Sequence, residues 1–332
     1  MDLAGKRVLV TGADGFIGSH LCEALVAAGA QVRALALYNS FGTWGWLDSL
    51  APQTLAALDV VSGDVRDPYG VRNVVRGVEV VFHLAALIAI PYSYHAPDSY
   101  VATNVQGTLN VLQAVRDLGV ARLLVTSTSE VFGTARYVPI DEAHPRQGQS
   151  PYSATKIAAD ALAESFHRSF ATPVTVARPF NTYGPRQSAR AVIPTIIGQL
   201  AAGRHEVHLG AQRPTRDLTF VADTCAGFIA LAGCDAAVGR DVNMGSGHEI
   251  AIGDLARRLI ALIDPQAQVV CDDERLRPAG SEVERLLADS TLMAELTGWH
   301  PAVPLDEGLA RTAAWFAEPA NLSRYKVDLY NV

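Results

Sequence analysis

The sequence predicts an α/β protein with a doubly wound parallel sheet and a smaller C-terminal α/β lobe. Strand-like and helix-like segments alternate through the first half of the chain, and a glycine-rich turn joins the first strand to the first helix. Such alternation is typical of parallel strands joined by right-handed helical crossovers. At 332 residues, the chain is long enough for two lobes around a substantial core.

The alternating segments can be followed in order. Short apolar runs predict strands at residues 8–11, 32–37, 60–61, 80–84 and 123–125, and helical periodicity predicts helices at 17–28 and 109–118. Further on, residues 174–177 and 241–244 are expected to add strands to the same sheet.

From about Asn181 the pattern becomes less regular, because prolines interrupt shorter elements. We predict a dinucleotide-binding domain over residues 1–180, with strands returning from about 215–245. Residues 181–332 are predicted to form mainly a substrate-binding lobe that closes over it.

Composition narrows the function classes. Apolar residues make up 49% and charged residues 18%, as in ordinary soluble domains, and the net charge of −7 argues against nucleic acid or an anionic membrane as partner. The four cysteines lie far apart without C-x-x-C spacing, which favours a reducing cytosol over a disulfide framework. No uninterrupted apolar stretch is long enough to span a membrane, so we expect a cytoplasmic protein. His205 and His208 have no third ligand in view, and we predict no metal site.

The first glycine-rich turn indicates a dinucleotide cofactor. Gly12 allows a tight turn, Gly15 lets the backbone approach a pyrophosphate, and Gly18 permits close packing of helix on strand. The helix that begins at Phe16 and Ile17 offers amide donors and its positive dipole to the phosphates. Together with the alternating segments, this turn predicts a Rossmann-type fold.

The choice between NAD and NADP stays open, with NAD favoured. An acidic residue about 20 positions beyond Gly18 usually holds the ribose of NAD, but Asn39 lies there and suits a hydroxyl or a phosphate. Asp64, after the third strand, is expected to contact adenine or to serve only as a turn residue. Trp44 and Trp46 are expected either to cover adenine or to pack on the surface.

A catalytic pair is predicted at Tyr152 and Lys156. Their spacing of four places both side chains on one face of a helix. A free tyrosine, with a pKa of about 10, is a poor base at neutral pH. The ammonium of Lys156 and a positive nicotinamide ring are expected to lower that pKa, and the lysine is expected to bind the nicotinamide ribose. Lysine is rare in this chain, which otherwise uses arginine.

Thr128, Ser129 and Glu130 follow a predicted strand at its carboxyl end, where open α/β sheets bind ligands. Two interpretations are open for these residues. Their side chains either take part in the reaction, or they form an ordinary turn with a solvated carboxylate.

From Lys6 to Pro304 the chain resembles the extended short-chain dehydrogenase/reductases that act on sugar nucleotides. The matching segments are Gly12-x-x-Gly15-x-x-Gly18, Gly63-Asp64, His83-Leu84-Ala85-Ala86, Asn104-Val105-Gln106-Gly107-Thr108, Tyr152-x-x-x-Lys156, Arg178-Pro179-Phe180-Asn181-Thr182-Tyr183-Gly184-Pro185-Arg186 and Thr215-Arg216-Asp217. Thr128-Ser129-Glu130 is similar to the triplet of GDP-mannose 4,6-dehydratases, whereas dTDP-glucose dehydratases carry aspartate in the middle position. Residues 83–108 are most similar to 4,6-dehydratases of the legionaminic-acid pathway.

The resemblance implies roles for further residues. Contacts with the cofactor are implied for Val65, Leu84, Ala85, Ala86 and Asn104. Contacts with a nucleotide-sugar substrate are implied for Asn181 and Arg216 at the diphosphate, Arg277 or Glu282 at the nucleoside end, Val192 and Ile193 near the base, and Arg186. Tyr92 and Ser93, on the loop after the fourth predicted strand, are expected near the hexose.

The resemblance also implies a 4,6-dehydratase with tightly bound, recycled NAD. Tyr152 takes the C4 hydroxyl proton during oxidation, Glu130 removes the acidified C5 hydrogen, and the C6 hydroxyl leaves before hydride returns to C6. Thr128 is expected to hydrogen-bond the C4 oxygen, and Ser129 to relay or orient a proton. The alternatives are a 4-epimerase, which needs no C5 base, and then an NDP-glucuronate decarboxylase. A regulatory dinucleotide binder is disfavoured by the intact Tyr152–Lys156 pair.

The family often pairs helices into a four-helix dimer interface. The helices after Asn104 and from Tyr152 are amphipathic enough to do so here, and we expect a homodimer.

Overall fold

A computed structural model describes residues 1–327. Its strands are β1 (Arg7–Thr11), β2 (Gln31–Leu37), β3 (Leu58–Gly63), β4 (Val80–His83), β5 (Arg122–Thr126), β6 (Val174–Pro179), β7 (Asn181–Tyr183), β8 (Glu206–Leu209), β9 (Thr215–Phe220), β10 (Asp241–Met244), β11 (Glu249–Ala251) and β12 (Gln268–Cys271). Its α-helices are α1 (Phe16–Ala27), α2 (Pro52–Ala56), α3 (Pro68–Val75), α4 (Ile90–His95), α5 (Pro97–Tyr100), α6 (Gly107–Leu118), α7 (Pro151–Phe170), α8 (Val192–Ala201), α9 (Val221–Gly233), α10 (Ile252–Ile263), α11 (Thr291–Thr297), α12 (Leu305–Ala317) and α13 (Pro319–Leu322).

The main sheet has seven strands in the order β10-β6-β5-β4-β1-β2-β3, and neighbouring strands run parallel throughout. The direction of strand progression reverses between β1 and β4. Open parallel sheets bind ligands in the crevice at such a reversal, beyond the carboxyl ends of the strands. The predicted doubly wound α/β fold is therefore confirmed.

Alternate residues of β1 enter two different cores. Val8 and Val10 belong to the larger apolar cluster, whereas Leu9 belongs to a second cluster on the opposite face of the sheet. Helices α1 and α9 cover the first face, and α3, α6 and α7 lie side by side on the second. Burial of both faces explains why the strands are almost continuously apolar.

The C-terminal lobe contributes two small sheets. One has the order β11-β9-β7, and the other is the parallel pair β12-β8. Strand β10 returns to the main sheet beside β6, as expected for residues 241–244, whereas β9 pairs with β7 and β11. Thus only the later part of the stretch 215–245 rejoins the main sheet. The division of domains at residue 180 stays a prediction.

Two elements differ from the sequence-based expectations. Residues 92 and 93 were expected on a loop but lie in α4, where Pro91 occupies the first turn and its fixed φ suits a helix start. The helix expected from residue 109 begins at Gly107 and is preceded by a π-helical segment, Val101–Gln106.

Within residues 1–327, no helix combines the length and apolar character that a membrane span requires. The same residues contain no group of three or more side chains able to hold a metal ion.

Candidate active site

The glycine turn after β1 has the shape that a dinucleotide needs. Gly12 has a φ of +68°, and a Cβ there would lie 2.8 Å from the backbone nitrogen of Ala85. A Cβ at Gly18 would overlap the carbonyl oxygen of Gly12. Gly15 caps α1 without any side-chain hydrogen bond, and the first turn of α1 carries no acidic residue. The amides of Phe16 and Ile17 at this helix start therefore fit a pyrophosphate.

A buried hydrogen-bond chain holds the turn against β4. The hydroxyl oxygen of Thr11 accepts from the backbone amides of Leu84 and Ala85, each at 3.1 Å, and lies 2.8 Å from Nδ1 of His83. Two accepted bonds leave the Thr11 hydroxyl to donate to His83. Nε2 of His83 then donates to Thr108 at 3.1 Å. Burial, and to a smaller extent the positive charge of Lys156, lowers the pKa of His83 to about 3, so the imidazole is neutral.

The side-chain amide of Asn104 forms hydrogen bonds with other groups of the protein and does not face an open cleft. Its amide oxygen accepts from the Leu87 amide at 2.8 Å, and its amide nitrogen donates to the Leu87 carbonyl at 2.9 Å and to Thr155 at 3.0 Å. The side chain thus ties the loop after β4, which contains Leu84, Ala85 and Ala86, to α7. Its predicted contact with a cofactor stays a prediction.

The residues predicted to lie near the adenosine of the cofactor follow β2 and β3. The amide nitrogen of Asn39 donates to the carbonyls of Leu37 and Thr43, so both of its hydrogens serve its own loop. Asp64 pairs with Arg66, whose hydrogen bonds hold the pKa of that carboxyl below its usual range.

Two other predicted residues of this region pack internally. Val65 is buried and contacts Gly107, where a Cβ would lie 2.9 Å from it. The ring of Trp46 lies 5.6 Å from that of Trp315 and 5.7 Å from that of Tyr325. Trp46 therefore joins an aromatic cluster of the C-terminal lobe, and Trp44 remains partly exposed.

Helix α7 begins directly before Tyr152, because the preceding residues form its N-terminal cap. Ser150 caps the helix by accepting from the amide of Ser153 at 3.1 Å, and Pro151 occupies the first turn. Both Tyr152 and Lys156 are buried. The Lys156 ammonium donates to the carbonyl oxygen of Thr126, the last residue of β5, at 2.6 Å.

The environment of Tyr152 differs from the sequence-based expectation. Burial raises the pKa of its phenol above the ordinary value, the negative charge of Glu130 adds to this, and a hydrogen bond from Thr128 opposes it. In the protein alone, Lys156 does not depress the phenol pKa as expected. Lowering the pKa of Tyr152 therefore requires the positive charge of a bound nicotinamide.

Glu130 lies in a 3₁₀ turn, Ser129–Phe132, that follows β5 directly. The Thr128 hydroxyl caps this turn by accepting from the Glu130 amide at 3.3 Å. Ser129 is buried, whereas Glu130 is half-buried. Its negative charge raises the pKa of Tyr152 and favours the cationic form of Arg216, so the carboxylate is near enough to act on both groups.

Three predicted substrate residues meet in one cluster. The Arg216 guanidinium lies 3.3 Å from the Glu282 carboxylate, and that of Arg277 lies 3.7 Å from it. Burial lowers the pKa of Arg216, while the charges of Glu130 and Glu282 favour its cationic form. The amide oxygen of Asn181 is buried and has no hydrogen-bond partner among the described residues. The cluster and Asn181 suit an anionic, hydrogen-bonding ligand.

The other predicted substrate residues are placed differently. Arg186 pairs with Glu23 of α1 at 2.6 Å, so its guanidinium joins the two lobes and lies outside this cluster. The Ser93 hydroxyl is buried and donates to the Ile90 carbonyl at 2.6 Å, whereas the Tyr92 ring is partly exposed. Val192 and Ile193 begin α8.

Sequence reasoning assigned no role to several residues beneath the site. They are Thr11, His83, Ser127, Asp160 and the buried Arg178. Two features of the sequence could have indicated these residues. Polar residues stand at the ends of β1, β4 and β5, and an acidic residue lies one helical turn beyond Lys156.

Comparison with known proteins places this geometry in a family. The model of the family described as GDP-mannose 4,6 dehydratase matches residues 9–312. The chain belongs to this family. It is thus an extended short-chain dehydrogenase/reductase, as the sequence motifs predicted.

Individual members of the family differ in their stated activities. The dTDP-glucose 4,6-dehydratase of Streptomyces griseus is 34% identical over 320 residues, covering 93% of this chain and 94% of the relative. The UDP-glucose 4-epimerase of Mycolicibacterium smegmatis is 32% identical over 317 residues, covering 93% and 98%. The structure of the dTDP-glucose 4,6-dehydratase DesIV from Streptomyces venezuelae, with NAD bound, has a TM-score of 0.84 at 28% identity and covers 96% of this chain and 99% of that one. Membership of the family thus leaves the dehydratase and epimerase activities as alternatives.

Proposed function

We propose that this protein is an NAD-dependent NDP-sugar 4,6-dehydratase that forms an NDP-4-keto-6-deoxyhexose or the corresponding N-acetylhexosamine. The observation that carries the proposal is the position of Glu130. Glu130 is half-buried in the turn that directly follows β5, and its negative charge acts on both Tyr152 and Arg216. An elimination across C5 and C6 requires a base beside the oxidised carbon, and a carboxylate meets that need.

The cofactor is proposed to lie on the glycine turn, with its pyrophosphate at Gly15, Phe16 and Ile17. Bound NAD supplies one capability, which is to accept hydride from C4 and return it to C6. Lys156 uses one donor on Thr126 and keeps its other donors for the nicotinamide ribose. Because the cofactor is restored in each turnover, it is expected to stay bound.

The proposed proton steps use three residues. Tyr152 takes the C4 hydroxyl proton, assisted by the Thr128 hydroxyl that hydrogen-bonds its phenol. Glu130 then removes the C5 proton, which the new C4 ketone has made acidic. The protonated Glu130 delivers this proton to the C6 oxygen, which leaves as water. Solvent supplies the proton that later returns to C5 and receives the C4 hydroxyl proton from Tyr152, so both residues are restored.

Arg216 and Arg277 are proposed to bind the diphosphate and nucleoside end of the substrate. Both guanidinium groups contact the carboxylate of Glu282, and their planar, forked donors suit the oxygens of a diphosphate. Asn181 is proposed as a further hydrogen-bonding contact. The protein is also proposed to act as a homodimer.

A 4-epimerase is the second candidate, because the M. smegmatis relative with that activity is aligned along nearly the whole chain. Incubation with GDP-, UDP- and dTDP-sugars in deuterated water, followed by mass spectrometry and NMR, distinguishes the two. A dehydratase loses one water and gains one deuterium at C5. An isobaric product without this deuterium refutes the dehydratase proposal and supports an epimerase, and loss of carbon dioxide from a glucuronate indicates a decarboxylase.

A further inference from the structure

A buried charge cluster lies beneath the catalytic pair. The Arg178 guanidinium is 2.9 Å from a carboxylate oxygen of Asp160 and 2.8 Å from one of Asp241. The side chains of Arg178 and Asp160 are fully buried. The same guanidinium lies over the Phe132 ring, 5.0 Å from its centroid. Arg178 therefore contacts both the helix that carries Tyr152 and the turn that carries Glu130.

Asp160 also holds the end of β5. The oxygen of Asp160 that binds Arg178 accepts from the Ser127 hydroxyl at 2.7 Å, and Ser127 directly precedes Thr128. The other oxygen of Asp160 is buried and has no hydrogen-bond partner among the described residues. No hydrogen-bond donor among the described residues therefore stabilises the charge at this oxygen.

Lys156 lies one helical turn before Asp160 on α7. A buried ammonium needs a nearby negative charge to stay protonated. Its ammonium is buried and donates to the neutral Thr126 carbonyl. No carboxylate among the described residues lies within ion-pair distance of it, so the acid that favours its charged form acts from further away. Burial lowers the pKa of Lys156, and the negative charge of Asp160 opposes that effect.

We propose that Asp160 is a positioning residue that keeps Lys156 in its charged form and aligns α7 with the end of β5. The inference rests on the proposed function in taking Tyr152 and Lys156 as the pair for hydride transfer. Arg178 and Ser127 keep the Asp160 carboxylate in place, so its charge is available at a fixed distance from Lys156.

Several other charged and titratable groups share these interactions. The charge of Lys156 acts on His83 of β4, the charges of Glu130 and Asp160 act on Tyr152 of α7, and Arg178 of β6 binds Asp160. His83 is neutral above about pH 3, and Arg178 stays cationic because two carboxylates bind it. Replacing Asp160 therefore changes the charge acting on Lys156 without removing any of these groups.

The rarity of lysine allows a direct test. Lys6, Lys156 and Lys326 are the lysines of the chain, so NMR of the NAD-loaded protein with ¹³C-labelled lysine gives three resolvable titrations. Lys6→Arg and Lys326→Arg assign the signals. In Asp160→Asn, the amide still accepts from Ser127 and Arg178 keeps Asp241. The Lys156 midpoint is expected to fall by about one pH unit or more, the usual effect of losing a nearby opposite charge.

Glu164→Gln is the matched control. Glu164 lies one turn further along α7 and pairs with Arg146 at 2.6 Å and Arg168 at 3.1 Å. This variant should leave the Lys156 midpoint unchanged. An unchanged midpoint in Asp160→Asn overturns the proposal.

Ser127→Ala gives an independent measurement if Asp160→Asn does not fold. It removes one of the two contacts that keep the Asp160 carboxylate in place, so the Lys156 midpoint should fall, by less than in Asp160→Asn. A midpoint that stays the same or rises contradicts the proposal. These titrations need no turnover. Failure of the dehydratase proposal would appear instead in the deuterium experiment, so the two outcomes are distinguishable.

Discussion

Lys156 of α7 donates to the carbonyl oxygen of Thr126 at the end of β5, at 2.6 Å. This bond joins the helix that carries Tyr152 to the strand whose following turn carries Glu130. The phenol proposed to take the C4 proton and the carboxylate proposed to take the C5 proton are thereby held on one scaffold.

Glu130→Gln should separate oxidation from elimination. The amide cannot remove the C5 proton, whereas Tyr152 can still take the C4 proton. On mixing with a sugar nucleotide that the native protein converts, the absorbance of reduced cofactor should appear and persist. Loss of turnover should reach at least about 100-fold, the lower range for removal of a general base.

The control for this substitution is Glu295→Gln, an exposed residue of α11. It should turn over like the native protein. Native turnover in Glu130→Gln would remove Glu130 from the reaction.

Gly18→Ala should weaken cofactor binding. The added Cβ would overlap the carbonyl oxygen of Gly12, which forces the turn away from α1. Overpacking of this kind destabilises a protein by roughly 1–3 kcal/mol. We expect the protein to purify with less than about a tenth of the native NAD content, because fixed backbone amides supply most of the pyrophosphate contacts.

Gly253→Ala in α10 is the matched glycine control, since its Cβ would approach Gln212 no closer than 3.3 Å. Cofactor content is measured by chromatography after denaturation. Native NAD content in Gly18→Ala would contradict the predicted pyrophosphate site.

Arg216→Lys should weaken nucleotide binding with the charge retained. A lysine cannot reproduce the planar fork of the guanidinium, and a hydrogen bond between charged groups contributes roughly 1.5–3 kcal/mol. Calorimetric titration with UDP, GDP and dTDP should show the Kd of the preferred nucleotide rising about 10- to 100-fold. Arg213→Lys, at an exposed arginine three positions earlier, should bind normally. Equal affinities in the two variants would exclude Arg216 from the diphosphate site.

Acid should destabilise the fold through His83. Its pKa is about 3 in the folded protein and 6.5 ordinarily, because burial disfavours the imidazolium. Between these values the unfolded chain binds more protons, so the free energy of unfolding falls as pH decreases. The contribution is about 1.4 kcal/mol per pH unit.

Urea unfolding of the native protein and of His83→Gln at pH 7 and pH 5 measures this contribution. The variant should lose less stability between the two pH values than the native protein. His248→Gln, at an exposed histidine, should keep the native difference. An equal difference in His83→Gln would show that His83 is not the source.

The strands and helices of the first half were predictable because their signals are local. Apolar runs mark the buried strands, and Ser150 and Pro151 mark the start of α7 within a few residues. The π-helical segment before α6 was not predictable, because Asn104 within it binds Leu87 and Thr155, which are distant in sequence. The short helix at residues 90–95 was missed, although Pro91 marked its first turn.

Within the candidate site, the predicted groups divide by the range of their contacts. Tyr152 and Lys156 share a face because helical geometry places residues four apart together. Arg186 belongs to a segment that matches the family. Its partner Glu23 is 163 residues away, so no local pattern predicts their ion pair. Asn39 stood at the expected spacing, but its amide folds back on its own loop.

The sequence by itself determined the parallel α/β sheet, and spacing within one turn and one helix predicted the glycine turn and the Tyr152–Lys156 pair. The role of Glu130 was predicted only through the family resemblance. Tertiary structure alone decided which distant charges meet: Arg178 with Asp160 and Asp241, and Arg216 with Glu282 and Arg277. Such pairs depend on how separate elements pack, and burial strengthens their electrostatic effect by removing the water that would screen it.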